Sequence, residues 1–309
     1  MGVITIDNRT IRALRHVDTR RLAAGRYPFP DFLIVGPQKT ASSWLHANLR
    51  RHPEVRMARE KEIFFFNLLD TPAHYQFRSG DLEWYSRFFR VSPAERLLHG
   101  VLSRLRYGRS YACRVSGEST ASYAAMEEDL IGEIATLNPD IRVILLIRNP
   151  VDRAWSHARM DLLVRGGREF VPSRAARWRR RLFPARRGRF QDLTFEQFRA
   201  HYTSDYQLRC GAFTANIARW KRNLKPGRLL CLVSEQFRDR PVERLREVCR
   251  FLGIDASARL LDRGTAHRIV NASRAPLPMP GEHRVFLMSL FREEIERLNA
   301  AFGAGYPAE

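Results

Sequence analysis

Long hydrophobic runs are missing from this 309-residue chain. Its longest purely apolar stretches, such as Val143–Ile147, reach five residues, whereas a membrane-spanning helix needs roughly 20. A transmembrane helix is therefore not expected. Met1–Arg15 has no apolar core followed by small residues, so no secretory leader is read there and a cytoplasmic protein is expected. Cysteine is scarce. Cys113, Cys210, Cys231 and Cys249 stand far apart without a C-x-x-C pair, which excludes the usual zinc and thioredoxin-like spacings and predicts reduced thiols. Lysine is scarcer still for so basic a protein: Lys39, Lys61, Lys221 and Lys225 are the only four among 53 basic residues. No internal repeat is apparent.

Arginine supplies the rest of the positive charge. Against 33 acids it leaves a net charge of +20 and a pI near 10.9. A chain this basic attracts anions such as nucleotides, nucleic acids, acidic glycans or anionic lipids. The charge is uneven, with ten arginines and the single acid Glu169 between Arg165 and Phe190. That stretch, taken as an insertion over about 165–192, reads either as a surface for an anionic acceptor or membrane, or as a solvated loop.

Residues 1–30 are polar and basic, with a weak helical pattern over Ile11, Leu14 and Val17, and read as a lead-in segment. Phe32–Val35 is a short apolar run stopped by Gly36-Pro37, as expected of a buried strand entering a loop. A helix is expected over Ser42–Arg51, a strand-like stretch over Val55–Phe66 and an amphipathic helix over Met126–Leu137. Val143–Ile147 is the clearest buried strand, followed by a helix with Pro150 in its first turn. Leu229–Val233 reads as another strand; Pro241–Phe251 and Arg284–Phe302 read as helices. Apolar strands alternating with helices predict an α/β fold, a P-loop-like parallel sheet flanked by helices on both faces.

Two segments carry chemistry. In Gly36-Pro37-Gln38-Lys39-Thr40-Ala41-Ser42-Ser43-Trp44-Leu45 a strand end, a tight loop and a helix start form an anion cradle. The same residues also read as an ordinary capped helix, since Ser and Thr are common caps. The Walker pattern is not met, because Gln38 rather than Gly precedes Lys39, which argues against a nucleotide kinase. In Arg148-Asn149-Pro150-Val151-Asp152-Arg153-Ala154-Trp155-Ser156-His157, Arg148 falls at the carboxyl end of the Val143–Ile147 strand, where open α/β sheets bind ligands. Arg148 could fork onto a phosphate with Ser156 as a second donor. Alternatively, Asp152 and Arg153 form surface pairs and Ser156 faces solvent.

Together the two segments resemble the PAPS-dependent sulfotransferases, whose donor is 3′-phosphoadenosine 5′-phosphosulfate. Lys39–Leu45 is similar to that family's K-T-G-T-[TS]-x-L phosphosulfate loop, and Arg148–His157 to its R-[ND]-P-x-[DE]-R-x-x-S-H signature for the 3′-phosphate. Between them, Lys61-Glu62-Ile63-Phe64-Phe65-Phe66 resembles the K-E-x-x-F-F segment of the glycan-modifying branch, and Gly117–Tyr123 its G-E-x-[ST]-P-x-Y segment. Arg209-Cys210-Gly211, Trp220, Glu235 and Phe251-Leu252-Gly253 match more weakly.

The resemblance implies one sulfotransferase domain over 31–309, with PAPS as donor, 3′,5′-adenosine bisphosphate as product and no metal. It implies that Lys39 stabilises the leaving oxygen and that Thr40, Ala41, Ser42, Ser43 and Trp44 hold the phosphosulfate. Arg148 and Ser156 would grip the 3′-phosphate, and Glu62 would be the base. Glu118 is expected to be structural. His157, at the 3′-phosphate end, is not expected to act as base. Trp44 would either lie near the adenine or anchor its helix, and Phe64–Phe66 are expected in the core. The implied acceptor is a hydroxyl or amine of a glycan or lipid-linked glycan, with a peripheral membrane location open and no specific nucleic acid.

Three departures from the family pattern matter. Ala41 replaces the usual loop glycine and is expected to keep a negative φ; Ala121 replaces a proline; Ser119 stands where glycan sulfotransferases often carry a lysine. The competing class is a non-catalytic polyanion-binding protein, for nucleic acid or acidic glycan. The net charge fits it, but no nucleic-acid-binding motif is seen.

Overall fold

The computed structural model describes residues 2–164, 193–262, 266–267 and 277–307. The Arg-rich run and its predicted role lie outside the described residues. Strands β1 (Val3–Ile6) and β2 (Gly25–Pro28) pair antiparallel. Strands β3 (Phe32–Val35), β4 (Val55–Met57), β5 (Val115–Ser119), β6 (Arg142–Ile147) and β7 (Leu229–Val233) form a parallel sheet in the order β4-β5-β3-β6-β7. The chain leaves central β3 for the β4 edge, returns through β5, then crosses β3 to reach β6 and β7. The sheet therefore reverses its direction of growth at β3, and the carboxyl ends around such a point are where α/β sheets place ligands.

The uniformly apolar strands are two-faced in space. Leu33 and Val35 of β3, with Val143, Leu145 and Ile147 of β6, enter one core; Phe32 and Ile34, with Ile144 and Leu146, enter the other. This is the period-2 alternation of a sheet covered on both sides. Helix α1 spans Asn8–Ala13, α2 Ser42–Leu49, α3 Pro93–Tyr107, α4 Glu128–Leu137, α5 Pro150–Ala158, α6 Phe195–Tyr202, α7 Asp205–Gly211, α8 Pro241–Leu252 and α9 Gly281–Phe302. Leu130, Ile131 and Ile134 of α4 and Leu287, Phe291 and Ile295 of α9 fill the first core. Leu45 and Leu49 of α2 and Leu245, Val248 and Leu252 of α8 fill the second. Gly117 on β5 has a geometric reason: a Cβ there would lie 2.1 Å from the Phe32 ring on β3.

Two regions depart from expectation. Residues 2–30 are folded onto the body, since Ile4, Ile6, Leu14, Val17, Leu22 and Phe29 are buried in the first core. Helix α1 ends at Ala13, before Leu14 and Val17. The stretch expected as strand over Val55–Phe66 stops at Met57. Glu62 and Phe64 then take left-handed φ of 60° and 57°, which no strand accommodates. The amide of Ile63 donates to the Thr120 hydroxyl (3.0 Å), and those of Phe65 and Phe66 to the Tyr123 hydroxyl (3.0 and 3.3 Å). The Glu62 amide still donates to the Ser119 carbonyl of β5 at 2.9 Å, but beyond it side chains take over from the strand.

Candidate active site

A cavity of about 2010 Å³ opens at the carboxyl ends of the parallel strands. The loop after β3 forms one wall. Gly36 allows its tight start, because a Cβ there would meet Thr40 Oγ1 at 2.7 Å and Leu146 Cβ at 2.8 Å. Thr40 is fully buried and donates its hydroxyl to the Pro37 carbonyl at 2.8 Å, so it braces the loop from inside. Lys39 and Ala41 are left-handed, with φ of 79° and 64°. The negative φ expected of Ala41 is thus overturned: the alanine occupies the conformation that the family's glycine would favour, at a cost of roughly 1–2 kcal/mol. Among the described residues, no side chain caps α2. The serines and threonine do not act as ordinary caps, and the helix presents its positive end with no side-chain acceptor on it.

Lys39, Ala41, Ser42 and Ser43 line the cavity. Trp44 does not; its ring stacks on Phe237 at 4.6 Å and its Nε1 donates to the Ala266 carbonyl at 3.1 Å in the second core. Of the two readings of Trp44, helix anchor is the one the geometry supports.

The second wall comes from β6 and α5. Asn149 caps α5 by accepting from the amides of Val151 (2.9 Å) and Asp152 (3.4 Å). Its own amide donates to Glu235 Oε1 after β7, at 2.9 Å. Arg148 lies half-buried and donates from Nη1 to the Lys39 carbonyl at 2.7 Å, tying the two loops together. Arg148, Asp152 and Ser156 all line the cavity. The alternative reading, in which Arg153 forms a surface pair, does not hold. Arg153 is fully buried and donates to the Gln207 side chain (3.2 Å), the Gln207 carbonyl (3.3 Å) and His157 Nδ1 (3.3 Å). Burial pulls its pKa down, the ordinary effect of desolvating a cation.

Glu62 projects from the loop between β4 and β5. Its Oε1 pairs with Lys61 Nζ at 2.5 Å, and its Oε2 accepts from the Ala121 amide at 3.0 Å. Lys61, Glu62 and Phe64 line the cavity; Phe65 and Phe66 are buried as expected, but Phe64, expected in the core, is only partly buried, its left-handed φ breaking the extended run. Behind them, Glu118 is fully buried. It accepts from Tyr85 Oη and, at 2.7 Å, from Thr120 Oγ1. Burial pushes its pKa up to about 7, against the lowering effect of those hydroxyls. Thr120 and Tyr123 hold the backbone of Ile63–Phe66, so the Glu118 cluster fixes the loop that carries Glu62. Ser119 is buried and does not line the cavity. Among the described residues, the four non-glycine positions with positive φ are Lys39, Ala41, Glu62 and Phe64, and all four line this cavity. Strain of this kind concentrates where a site is held against local preference.

The structure also adds Asp161, His201 and Tyr206, which the sequence did not suggest, beside Gln38 and His157 of the two motifs. After α5 the helix widens to a π turn over Arg159–Val164. Asp161 there accepts from Nε2 of both His157 (3.2 Å) and His201 (3.1 Å). Arg153 donating to His157 Nδ1 leaves the histidine proton on Nε2. Tyr206 of α7 donates to Gln38 Oε1 at 2.8 Å. All five of Gln38, His157, Asp161, His201 and Tyr206 line the cavity. The only sequence signal was the four-residue spacing of His157 and Asp161. Among the described residues, no group of three or more His, Cys, Asp or Glu is placed to hold a metal, and no helix is long and apolar enough to cross a membrane.

Residues 29–276 match the family described as sulfotransferase domain. The chain belongs to the sulfotransferase family. The chain is 25% identical over 307 residues to bifunctional heparan sulfate N-deacetylase/N-sulfotransferase 4 of Mus musculus, covering 90% of this chain and 31% of that protein. It is 26% identical over 233 residues to heparan sulfate glucosamine 3-O-sulfotransferase 3B1 of the same species, covering 75% of this chain and 48% of that protein. The chain thus spans less than half the length of these relatives. Its fold is similar to a sulfotransferase crystal structure from Alicyclobacillus acidocaldarius, with a TM-score of 0.59 at 24% identity, covering 90% of this chain and 97% of that one.

Proposed function

We propose that this sulfotransferase moves a sulfuryl group from PAPS to a hydroxyl or amine of a glycan or glycolipid acceptor. The observation that carries the reading is convergence: Lys39, the uncapped start of α2, Arg148, Ser156 and Glu62 all face one cavity. The residues fit the donor. The α2 amides and Ser42 and Ser43 suit the 5′-phosphosulfate, Lys39 suits the bridging oxygen of the leaving nucleotide, and Arg148 with Ser156 suits the 3′-phosphate. The cavity volume exceeds what one nucleotide fills, leaving room for an acceptor.

In the reaction the acceptor oxygen or nitrogen bonds to sulfur as the bond from sulfur to the nucleotide oxygen breaks. Glu62 takes the acceptor proton, and 3′,5′-adenosine bisphosphate departs with the bonding electrons. Catalysis of this kind is mostly positioning and charge stabilisation. The named activities of the heparan sulfate relatives support a glycan acceptor.

The test is thermal stabilisation by 3′,5′-adenosine bisphosphate, compared with ADP and 5′-AMP, in wild type and Arg148→Ala. Ligand at about 100 times its dissociation constant should stabilise by about 2.7 kcal/mol. The expected result is a shift that requires the 3′-phosphate and disappears in Arg148→Ala. An equal shift with ADP, or none, would overturn the donor assignment and favour simple polyanion binding.

A further inference from the structure

Helix α3 is oriented against the usual rule for surface helices, which turn their apolar stripe inward. Its ends are well made. Ser92 and Glu95 form a reciprocal capping box, Pro93 opens the first turn, and Gly108 closes the helix at φ 67°. Its inward face is polar or aromatic. His99 stacks on Tyr111 at 5.0 Å, Ser103 donates to the Arg109 carbonyl at 2.8 Å, and Tyr107 is buried. Its outward face carries Leu97, Leu98, Val101, Leu102 and Leu105, all exposed, with Leu97 at 70% and Leu105 at 80%. At 3.6 residues per turn these five span an arc of about 140°. A contiguous apolar patch of this sort marks an interaction surface.

The charge around the patch identifies the occupant. Arg104 lies about 20° beyond one edge of the arc and Arg106 about 40° beyond the other, and no acid occurs from residue 96 to 114. Glu95, at the start of α3, is held by Arg59 and by the Ser92 amide. A second copy of the chain would bring like-charged arginines together, which disfavours a dimer through this face. An anionic bilayer complements both features: aliphatic side chains enter the headgroup–acyl boundary while arginines meet lipid phosphates. We propose that α3 lies in the plane of an anionic lipid surface with Leu97, Leu98, Val101, Leu102 and Leu105 immersed. Arg59, which pairs with Glu95 at 3.1 Å, also lines the catalytic cavity, so the docked helix begins at the cavity rim. The inference stands on α3 alone and does not depend on the sulfuryl-transfer reading.

Flotation with phosphatidylcholine vesicles, with and without phosphatidylglycerol, tests it on the full chain. The comparison is wild type against Leu98→Gln/Leu105→Gln, which leaves every charge, including the Arg165–Arg189 run, unchanged. Both side chains are exposed, and an unchanged thermal midpoint verifies the fold. Wild type should bind the anionic vesicles and the double variant at least about tenfold more weakly at physiological salt. At about 1 M salt, where electrostatic attraction is screened, wild type should retain residual binding that the variant lacks. Equal binding of both proteins would overturn the proposal and assign attraction to the arginines elsewhere. Absence of wild-type binding would overturn it as well. So would a wild-type dimer in sedimentation velocity that the variant abolishes without any vesicle binding, and the face would then belong to a second copy.

Discussion

Arg148 donates its Nη1 hydrogen to the main-chain carbonyl of Lys39 at 2.7 Å. The residue proposed to hold the 3′-phosphate therefore also braces the loop that carries the proposed leaving-group cation. Donor recognition and the geometry of catalysis share one guanidinium.

This linkage makes Arg148→Ala a double lesion. Saturating PAPS should not restore it, because the Lys39 carbonyl loses its partner whether or not donor is bound. Steady-state kinetics should show KM for PAPS raised and kcat lowered as well. Arg148→Lys should recover little of either, since an ammonium cannot fork between a carbonyl and a phosphate. A variant defective in KM alone would separate the two roles.

Glu62→Gln keeps the side-chain shape and can still face Lys61 and the Ala121 amide, but it cannot accept a proton. Turnover should fall by about 10²–10⁴-fold, with binding of 3′,5′-adenosine bisphosphate unchanged by calorimetry. Loss of nucleotide affinity together with turnover would place Glu62 on the donor side instead.

Glu118 gives the protein a pH signature. Its folded pKa of about 7 lies above the ordinary value of 4.5. Between those values the folded state holds a proton that the unfolded chain has released. Its contribution is therefore complete below about pH 4.5 and is lost as pH rises to about 7, by an amount on the order of 3 kcal/mol. Urea unfolding of wild type and Glu118→Gln at about pH 5 and pH 8 reads this directly. The wild type should lose stability relative to the variant on going to the higher pH; parallel behaviour of the two would remove Glu118 as the cause.

Ala41→Gly should stabilise the protein by about 1 kcal/mol, since glycine takes the left-handed φ of 64° without the penalty borne by a Cβ. The readout is the urea midpoint, with donor binding retained. A fall in stability would mean that the gain in unfolded-chain entropy outweighs the relief of strain.

Gly117→Ala should act in the opposite direction. The new methyl would stand 2.1 Å from the Phe32 ring, between two paired strands that cannot separate, and the expected loss is about 1–3 kcal/mol. A thermal midpoint equal to wild type would show that Phe32 can rotate away.

Legibility in the sequence followed the source of each element's stability. Strands β3, β6 and β7 could be read because a sheet buried on both faces demands apolar residues at every position, and Phe32–Val35, Val143–Ile147 and Leu229–Val233 supply them. Strand β5 could not be read as a strand. Its Ser116, Gly117, Glu118 and Ser119 are buried, but they are tolerated only because Asp31, Phe32 and Tyr85 arrive from elsewhere and the adjoining Thr120 turns its hydroxyl onto Glu118. Helix α3 was written in plain signals, the Ser92–Glu95 box and Gly108, yet went unread, and its leucines would have suggested a core position that the fold does not give them.

The sequence by itself determined the family-like loops, their order and the chemistry that Lys39, Glu62, Arg148 and Ser156 can perform. Those are properties of residue type and spacing. Tertiary structure alone decided that Trp44 and Thr40 turn away from the cavity, that Ala41 is left-handed, that Arg153 is buried, and that Asp161, His201 and Tyr206 join the site. Each of these depends on which distant side chain offers a hydrogen bond or fills a neighbouring volume, and such partners are fixed only when the sheet and its helices have closed around them.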